Sequence, residues 1–171
     1  DRHTLLEDLI DQLNDLNLNE NEKEVAEEII WNTNEKGYLD TDLILIADRF
    51  DLLENEVEPI LHKVQRLNPL GIGSRSLEEC LMIQLENEKG SLSHKIVNEY
   101  FDDFMHKRYE KIQEKLSCTK DELHEAVDQI SHLSPHPGEG YLDRFQTVFP
   151  DVIVREDGDD QSMDVKIIEI L

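Results

Sequence analysis

From Thr4 to Leu133 the apolar residues of this chain return at every third or fourth position, and that period makes helices its main building material. Leu5, Leu9, Leu13 and Leu16 form the first stripe, behind Thr4-x-x-Glu7, which has the form of a capping box. A second helix is predicted from about Asn19 to Asn34, burying Val25, Ala26, Ile29 and Ile30, with Gly37 as the left-handed residue that ends it. Trp31 is assigned to the core, because a lone tryptophan in a helical stripe is usually packed. The chain restarts at Asp40 or Thr41. A short helix over 43–50 precedes a longer one that buries Val57, Ile60, Leu61, Val64 and Leu67, with Pro59 accommodated near its first turn and Asn68-Pro69 as its stop.

A two-glycine loop follows, Leu70-Gly71-Ile72-Gly73-Ser74-Arg75, and Ser76-x-x-Glu79 caps a helix through Leu77, Cys80, Leu81 and Leu85. The polar stretch from Glu86 to Ser91, with Gly90, marks a junction between two helical subdomains. Beyond it, Ile96, Val97, Tyr100, Phe101 and Phe104 stripe one helix, Tyr109 to Leu116 forms a shorter one, and Leu123 to Leu133 a third behind Thr119-x-x-Glu122. After Pro135-His136-Pro137-Gly138 the pattern changes. Asp151 to Glu156 and Met163 to Ile170 are rich in Val and Ile around Asp157-Gly158, which predicts a β-hairpin whose register is loosely set, since Val165, Ile167 and Ile168 do not alternate. The expected fold is mainly α: two small helical bundles with helix-turn-helix-like units, followed by a short C-terminal β-hairpin. The boundaries are 1–88, 89–140 and 141–171.

Laying Ile46 to Pro69 on Ile112 to Pro135 without a gap pairs Phe50 with Leu116, Glu56 with Glu122, Val57 with Leu123, Leu61 with Val127, Val64 with Ile130 and Leu67 with Leu133. Each copy has the form of a helix-turn-helix unit. Shared helical period alone would also align two amphipathic helices, so the sequence leaves both explanations open. A helix-turn-helix that reads DNA needs Arg, Lys, Asn or Gln at the start of its second helix. Here those starts are acidic, with Glu54, Glu56 and Glu58 in one copy and Asp121 and Glu122 in the other, which favours packing or protein docking.

Charge points the same way. Seventeen Lys and Arg against 40 Asp and Glu give a formal net charge of -23, and duplex DNA would repel such a chain. The longest apolar run, Leu43 to Ala47, falls far short of the roughly twenty residues that cross a bilayer, so no membrane partner is expected. Cys80 and Cys118 stand apart in helical patterns and suggest neither a disulfide framework nor a zinc site, and the chain opens at Asp1 without an apolar signal segment. It reads as a monomeric piece of a cytoplasmic protein.

No catalytic, cofactor or metal site is expected. Asn32, Asn34, Gly37, Leu39 and Asp40 fall near EF-hand offsets, but the fifth position is Lys36 and the twelfth, where a bidentate Glu should close the shell, is Leu43. His132 and His136 are separated by Pro135, which breaks the helix that would align them, no nearby carboxylate completes a metal site with them, and they are assigned to solvent. The sequence holds no Gly-rich phosphate loop, no Ser or Cys nucleophile motif and no HExxH. The Gly71-Ile72-Gly73 loop is either a plain hinge or a docking turn in which Arg75, a lone cation in an acidic stretch, meets a carboxylate or phosphate.

Leu67-Asn68-Pro69-Leu70-Gly71-Ile72-Gly73-Ser74-Arg75-Ser76-Leu77-Glu78-Glu79-Cys80-Leu81, then Gln84-Leu85, resembles the bacterial sigma-N (RpoN, sigma-fifty-four) family of enhancer-dependent RNA polymerase sigma factors. The family pattern is Leu-Asp-Pro-x-Gly-Val-Gly-Ala-Arg, then Leu-x-Glu-Cys-Leu and Gln-Leu; Asn68, Ile72 and Ser74 depart from it mildly. Weaker matches are Leu9 through Leu13, Gly37-Tyr38-Leu39, Ile130 with Leu133-Ser134-Pro135-His136-Pro137-Gly138, and Pro150-Asp151-Val152-Ile153-Val154, all in family order. The resemblance implies the central core-binding region, a mostly helical two-part module that attaches the factor to core RNA polymerase, including its beta flap and neighbouring subunits. It makes Pro69, Gly71, Ile72, Gly73, Arg75, Leu77 and Glu79 the candidate polymerase-binding residues, and Arg75→Glu with Gly73→Val the variant expected to weaken binding. The family's N-terminal regulatory segment, DNA-reading helix-turn-helix and basic box have no counterpart in these residues. Promoter DNA and the AAA+ activator are therefore expected partners only of the full-length factor. The competing functions are a helical adaptor or transcription regulator unrelated to sigma factors, binding a partner through an amphipathic groove, and a metal-dependent hydrolase drawing on the carboxylates.

Overall fold

The computed structural model describes residues 2–139; the hairpin predicted within 141–171 lies outside the described residues. Among them the architecture is mainly helical. The first half holds α1 (Arg2–Asn14), α2 (Glu20–Trp31), α3 (Leu43–Arg49) and α4 (Glu54–Val64). Leu9 and Leu13 of α1, Ile29 and Ile30 of α2, Ile46 of α3 and Leu61 of α4 are fully buried in one cluster, which Ile72 joins from the loop that follows. The second half holds α5 (Leu77–Gln84), a 3-10 turn (Glu86–Glu88), α6 (Leu92–Glu99), α7 (Phe101–Met105), α8 (Tyr109–Leu116) and α9 (Lys120–Ser131). A separate cluster runs from Leu81 to Ile130, with Leu77 and Met82 of α5 packed against it. A fully buried Leu or Ile contributes about 1.5–3 kcal/mol, against about 1 kcal/mol for a good helix cap. Packing therefore decides where these helices sit, and caps decide where they start.

The repeat is structural. A shift that carries Ile46 onto Ile112 puts two fully buried isoleucines in register, and it carries the N-cap of α4, Leu53, onto the N-cap of α9, Thr119. Glu56 and Glu122 each turn a carboxylate back to accept the N-cap N–H, both at 2.8 Å. Asp51 and Ser117, in the turns, share left-handed φ values of 53° and 49°. Helical period does not dictate a turn, so two generic amphipathic helices would not produce that coincidence. The match also extends beyond the aligned stretch. The Gln12 amide of α1 donates to the Asn68 carbonyl (2.7 Å) and accepts the Asn68 N–H (2.8 Å). The Gln84 amide of α5 does the same to Ser134, the residue aligned with Asn68, at 2.7 and 2.8 Å. With α2 packed on α1 and α4, and α6 packed on α5 and α9, each half is one four-helix unit; α7 is an insertion in the second.

Several expectations are corrected. Thr4 lies inside α1, which has begun by Arg2, so it is not a cap. Helix α2 closes at Asn32, whose N–H reaches back to the Glu28, Ile29 and Ile30 carbonyls; Gly37 (φ 93°) sits five residues further on, in a separate turn. Pro59 is the sixth residue of α4, not near its first turn, and its ring is exposed, so the helix tolerates one missing N–H bond on its wet side. The single helix predicted through Tyr100 is broken there into α6 and α7. Trp31 is 51% exposed, not core. It follows Ile30 by one residue, about 100° round the helix, which takes it off the buried stripe formed by Val25, Ala26, Ile29 and Ile30.

Candidate functional site

The two-glycine loop begins where α4 gives out. Its Gly71 N–H donates to the Gln65 carbonyl (2.8 Å) at φ 89°, and a Cβ there would stand 2.9 Å from the Cys80 sulfur. Ile72 is fully buried in the first cluster. Gly73, at φ 77°, donates its N–H to the Gly37 carbonyl (2.7 Å), and the Leu39 N–H donates to the Ser74 carbonyl (2.9 Å). The loop is thus stitched to the turn over 34–39. That turn in turn holds the segment after α9: the Gly138 N–H donates to the Lys36 carbonyl (3.0 Å) and the Tyr38 hydroxyl to the Pro135 carbonyl (2.5 Å). A Cβ on Gly138 would lie 2.5 Å from the Glu35 carbonyl oxygen, so only glycine permits this approach. Three turns, far apart in sequence, meet at one place and join the two four-helix units.

Arg75 leaves this junction toward solvent and finds carboxylates of its own chain. Its guanidinium donates to both Glu58 oxygens (3.0 and 2.8 Å) and to Glu79 (2.6 Å), while its main-chain N–H also donates to Glu79 (2.6 Å). Burial pushes the Glu79 carboxyl up, but the Arg75 side-chain and main-chain hydrogen bonds and the Arg75 charge outweigh it, so the group is held below its ordinary range. The Glu79 and Glu58 hydrogen bonds, in that order, push Arg75 up against a smaller opposing effect of burial. Ser76 caps α5 by accepting the Glu79 N–H (3.1 Å), but the reciprocal half of the expected box is diverted, because Glu79 serves Arg75.

Behind the junction, burial pushes the Tyr38 phenol up to about 12, with Cys80 adding to it, and burial likewise pushes the Cys80 thiol up. Both are protonated at neutral pH, and a protonated buried thiol is a packing group, not a nucleophile. His136 is half-buried, with its ring edge-on to Tyr38 at 6.2 Å and its Nδ1 without a hydrogen-bond partner, so its assignment to solvent is corrected; His132 is exposed. Among the described residues, no three His, Cys, Asp or Glu side chains converge as metal ligands, and no helix is long and apolar enough to cross a membrane.

Of the residues singled out in sequence, Gly71, Ile72 and Gly73 are buried, Pro69, Leu77 and Glu79 are half-buried, and Arg75 is exposed. The structure brings Arg75 and Glu79 together and adds Glu58. Gln12, Gln84 and Tyr38 complete the junction; the sequence pattern includes Gln84 and Tyr38 but not Gln12, and it reveals the role of none of them, because all three bond to main-chain atoms, which leave no residue pattern. Gly73→Val would place a β-branched residue at positive φ, so it perturbs the fold before any contact.

The family described as "Sigma-54 factor, core binding domain" matches residues 1–169. The chain is 31% identical over 155 residues to the RNA polymerase sigma-54 factor of Bacillus subtilis, covering 88% of this chain and 36% of that protein. It is 30% identical over 161 residues to the sigma-54 factor of Pseudomonas putida (88% and 32% covered) and 32% identical over 161 residues to that of Pseudomonas aeruginosa (88% and 32%). It spans about a third of the length of these curated relatives. With that family model matching almost end to end, and relatives 30–32% identical, the chain belongs to the sigma-54 factor core-binding domain family.

Proposed function

We propose that this chain is the part of a sigma-54 factor that docks it onto core RNA polymerase, at the beta flap and neighbouring subunits. Membership of the core-binding domain family over residues 1–169 carries the proposal. Its charge supports it: carboxylates of Glu54, Glu56, Asp121 and Glu122 stand at the starts of the second helices of both helix-turn-helix units, where a DNA reader would need cations. Promoter DNA and the AAA+ activator engage the whole factor, in the cytoplasm, and the chain itself catalyses nothing. Along the loop and the first turn of α5, Pro69, Arg75, Leu77 and Glu79 offer a partly exposed edge, and Gly71, Ile72 and Gly73 hold its shape from behind. The domain divides into two units, and the packing of α5 with the second core supports drawing the division in the twin-glycine loop.

Competition tests this. The 171-residue chain should displace a full-length sigma-54 factor from core polymerase in co-elution experiments while leaving duplex DNA unshifted. Failure to displace it, or tight DNA binding, would contradict the proposal.

A further inference from the structure

The second helix-turn-helix is a built-in control for the first. Among the described residues, the large apolar side chains that stand exposed include Ile44 (51%) and Leu45 (52%) on α3 and Leu53 (67%) at the start of α4. The shift that overlays the repeats carries these three onto Glu110, Lys111 and Thr119, all exposed and all polar. The same backbone is therefore well served by polar residues at these positions. Leu53 even forgoes the cap hydrogen bond that Thr119 makes to the Glu122 N–H (3.2 Å). Lys111 pairs with Asp103 of the inserted α7 (2.9 Å), which gives its polarity a local cause, but nothing in the packing of the first copy accounts for Ile44, Leu45 and Leu53 standing exposed there.

Trp31 stands exposed on the last turn of α2, and the Asn32–Thr41 hydrogen bond (2.8 Å) and the Glu28–Arg49 ion pair run α3 beside that turn. The surroundings say what kind of surface would cover it. Between Thr41 and Glu56 there are five carboxylates, Asp42, Asp48, Asp51, Glu54 and Glu56, against Arg49 alone, a balance of -4. The aligned stretch from Lys107 to Glu122 has five Lys or Arg against four Asp or Glu, a balance of +1. Of the two aligned stretches, only the one that carries the exposed apolar residues is acidic.

We propose that Ile44, Leu45 and Leu53, with Trp31 beside them, form a docking face for an apolar pocket rimmed by Lys or Arg on core RNA polymerase. The second unit supports this face and does not duplicate it. Apolar anchors supply the affinity and the acidic rim the orientation; a second copy of this chain, bearing the same rim, would be repelled. This rests on the polymerase-docking reading above.

The test exchanges copy one for copy two: Ile44→Glu, Leu45→Lys and Leu53→Thr together in the 171-residue chain. The introduced Glu and Lys cancel, so net charge is unchanged. The expected result is an unfolding midpoint at or above that of the unaltered chain and a core-polymerase affinity at least about tenfold weaker, corresponding to about 1.4 kcal/mol. The unaltered chain should also bind more weakly as salt rises, and Glu110→Ala should bind as the unaltered chain does. Equal affinity of the triple variant, or salt-insensitive binding, would overturn the docking face while leaving the polymerase reading intact. Loss of a dimer in the triple variant, or newly exposed protease sites in residues 140–171 with affinity unchanged, would overturn it in favour of a second copy or the chain's own C-terminal segment. Failure of the unaltered chain to bind would remove the reading and the face together.

Discussion

Asp51 and Ser117 hold the same left-handed turn in the two halves of the molecule, at φ 53° and 49°, and neither is glycine. A non-glycine residue there costs about 1–2 kcal/mol, less for Asp. Ser117→Gly should therefore stabilise the chain by about 0.5–1 kcal/mol once the entropy of the unfolded glycine is offset, and Asp51→Gly by less. Urea unfolding at neutral pH checks both, and a loss in Ser117→Gly would show that the serine side chain, not the turn, fixes this geometry.

Leu53 and Thr119 start corresponding helices, but only Thr119 offers an oxygen to the helix N–H groups. Leu53→Thr should raise stability by about 0.5–1 kcal/mol, and Thr119→Ala should lower it by about 1 kcal/mol. Opposite shifts in thermal midpoint are expected from the pair.

Gly138 faces main chain on every close side, so a methyl group cannot be absorbed by a rotating side chain. Gly138→Ala should cost about 1–3 kcal/mol and speed hydrogen exchange at the Gly138 amide first, since its bond to Lys36 must stretch. Unchanged protection there would mean that the approach of the two turns is looser than the structure has it.

Glu79 is held below its ordinary value of 4.5, so the folded chain binds fewer protons at this site than the unfolded chain as the pH drops. Its contribution is complete above pH 4.5 and is lost as pH falls through the lowered folded value. Glu79→Gln should be less stable at neutral pH, and its stability should fall less steeply with acid than that of the unaltered chain, as urea titrations from about pH 3 to 5 would read. Parallel acid profiles would mean that the Arg75 contacts leave Glu79 unperturbed.

Periodicity and caps made much of this fold legible: Tyr109 to Leu116 forms a helix as predicted, and Thr119 caps α9 through the full box expected of it. The repeat was visible because its turns, and not only its apolar positions, align without a gap. What escaped was set by tertiary contact. Trp31 looks like a core residue until the buried stripe of α2 is located, and Pro59 looks confined to a first turn until its ring is seen to face solvent. In sequence Gly37 has the look of a helix end and Gly71 and Gly73 of a hinge or docking turn, yet Gly71 and Gly73 are buried and their loop is hydrogen-bonded to the turn of Gly37, which in turn holds Gly138. Arg75 has the look of a free cation because its partners, Glu58 and Glu79, lie 17 residues before it and on the first turn of α5.

Docking of this acidic helical chain on core RNA polymerase through protein contacts, without DNA, is open to a direct titration of the fluorescently labelled 171-residue chain with core polymerase. A saturable one-to-one curve, weakening with salt and unmoved by excess duplex DNA, is predicted. A flat curve with core polymerase, or a rise on adding DNA alone, would contradict it.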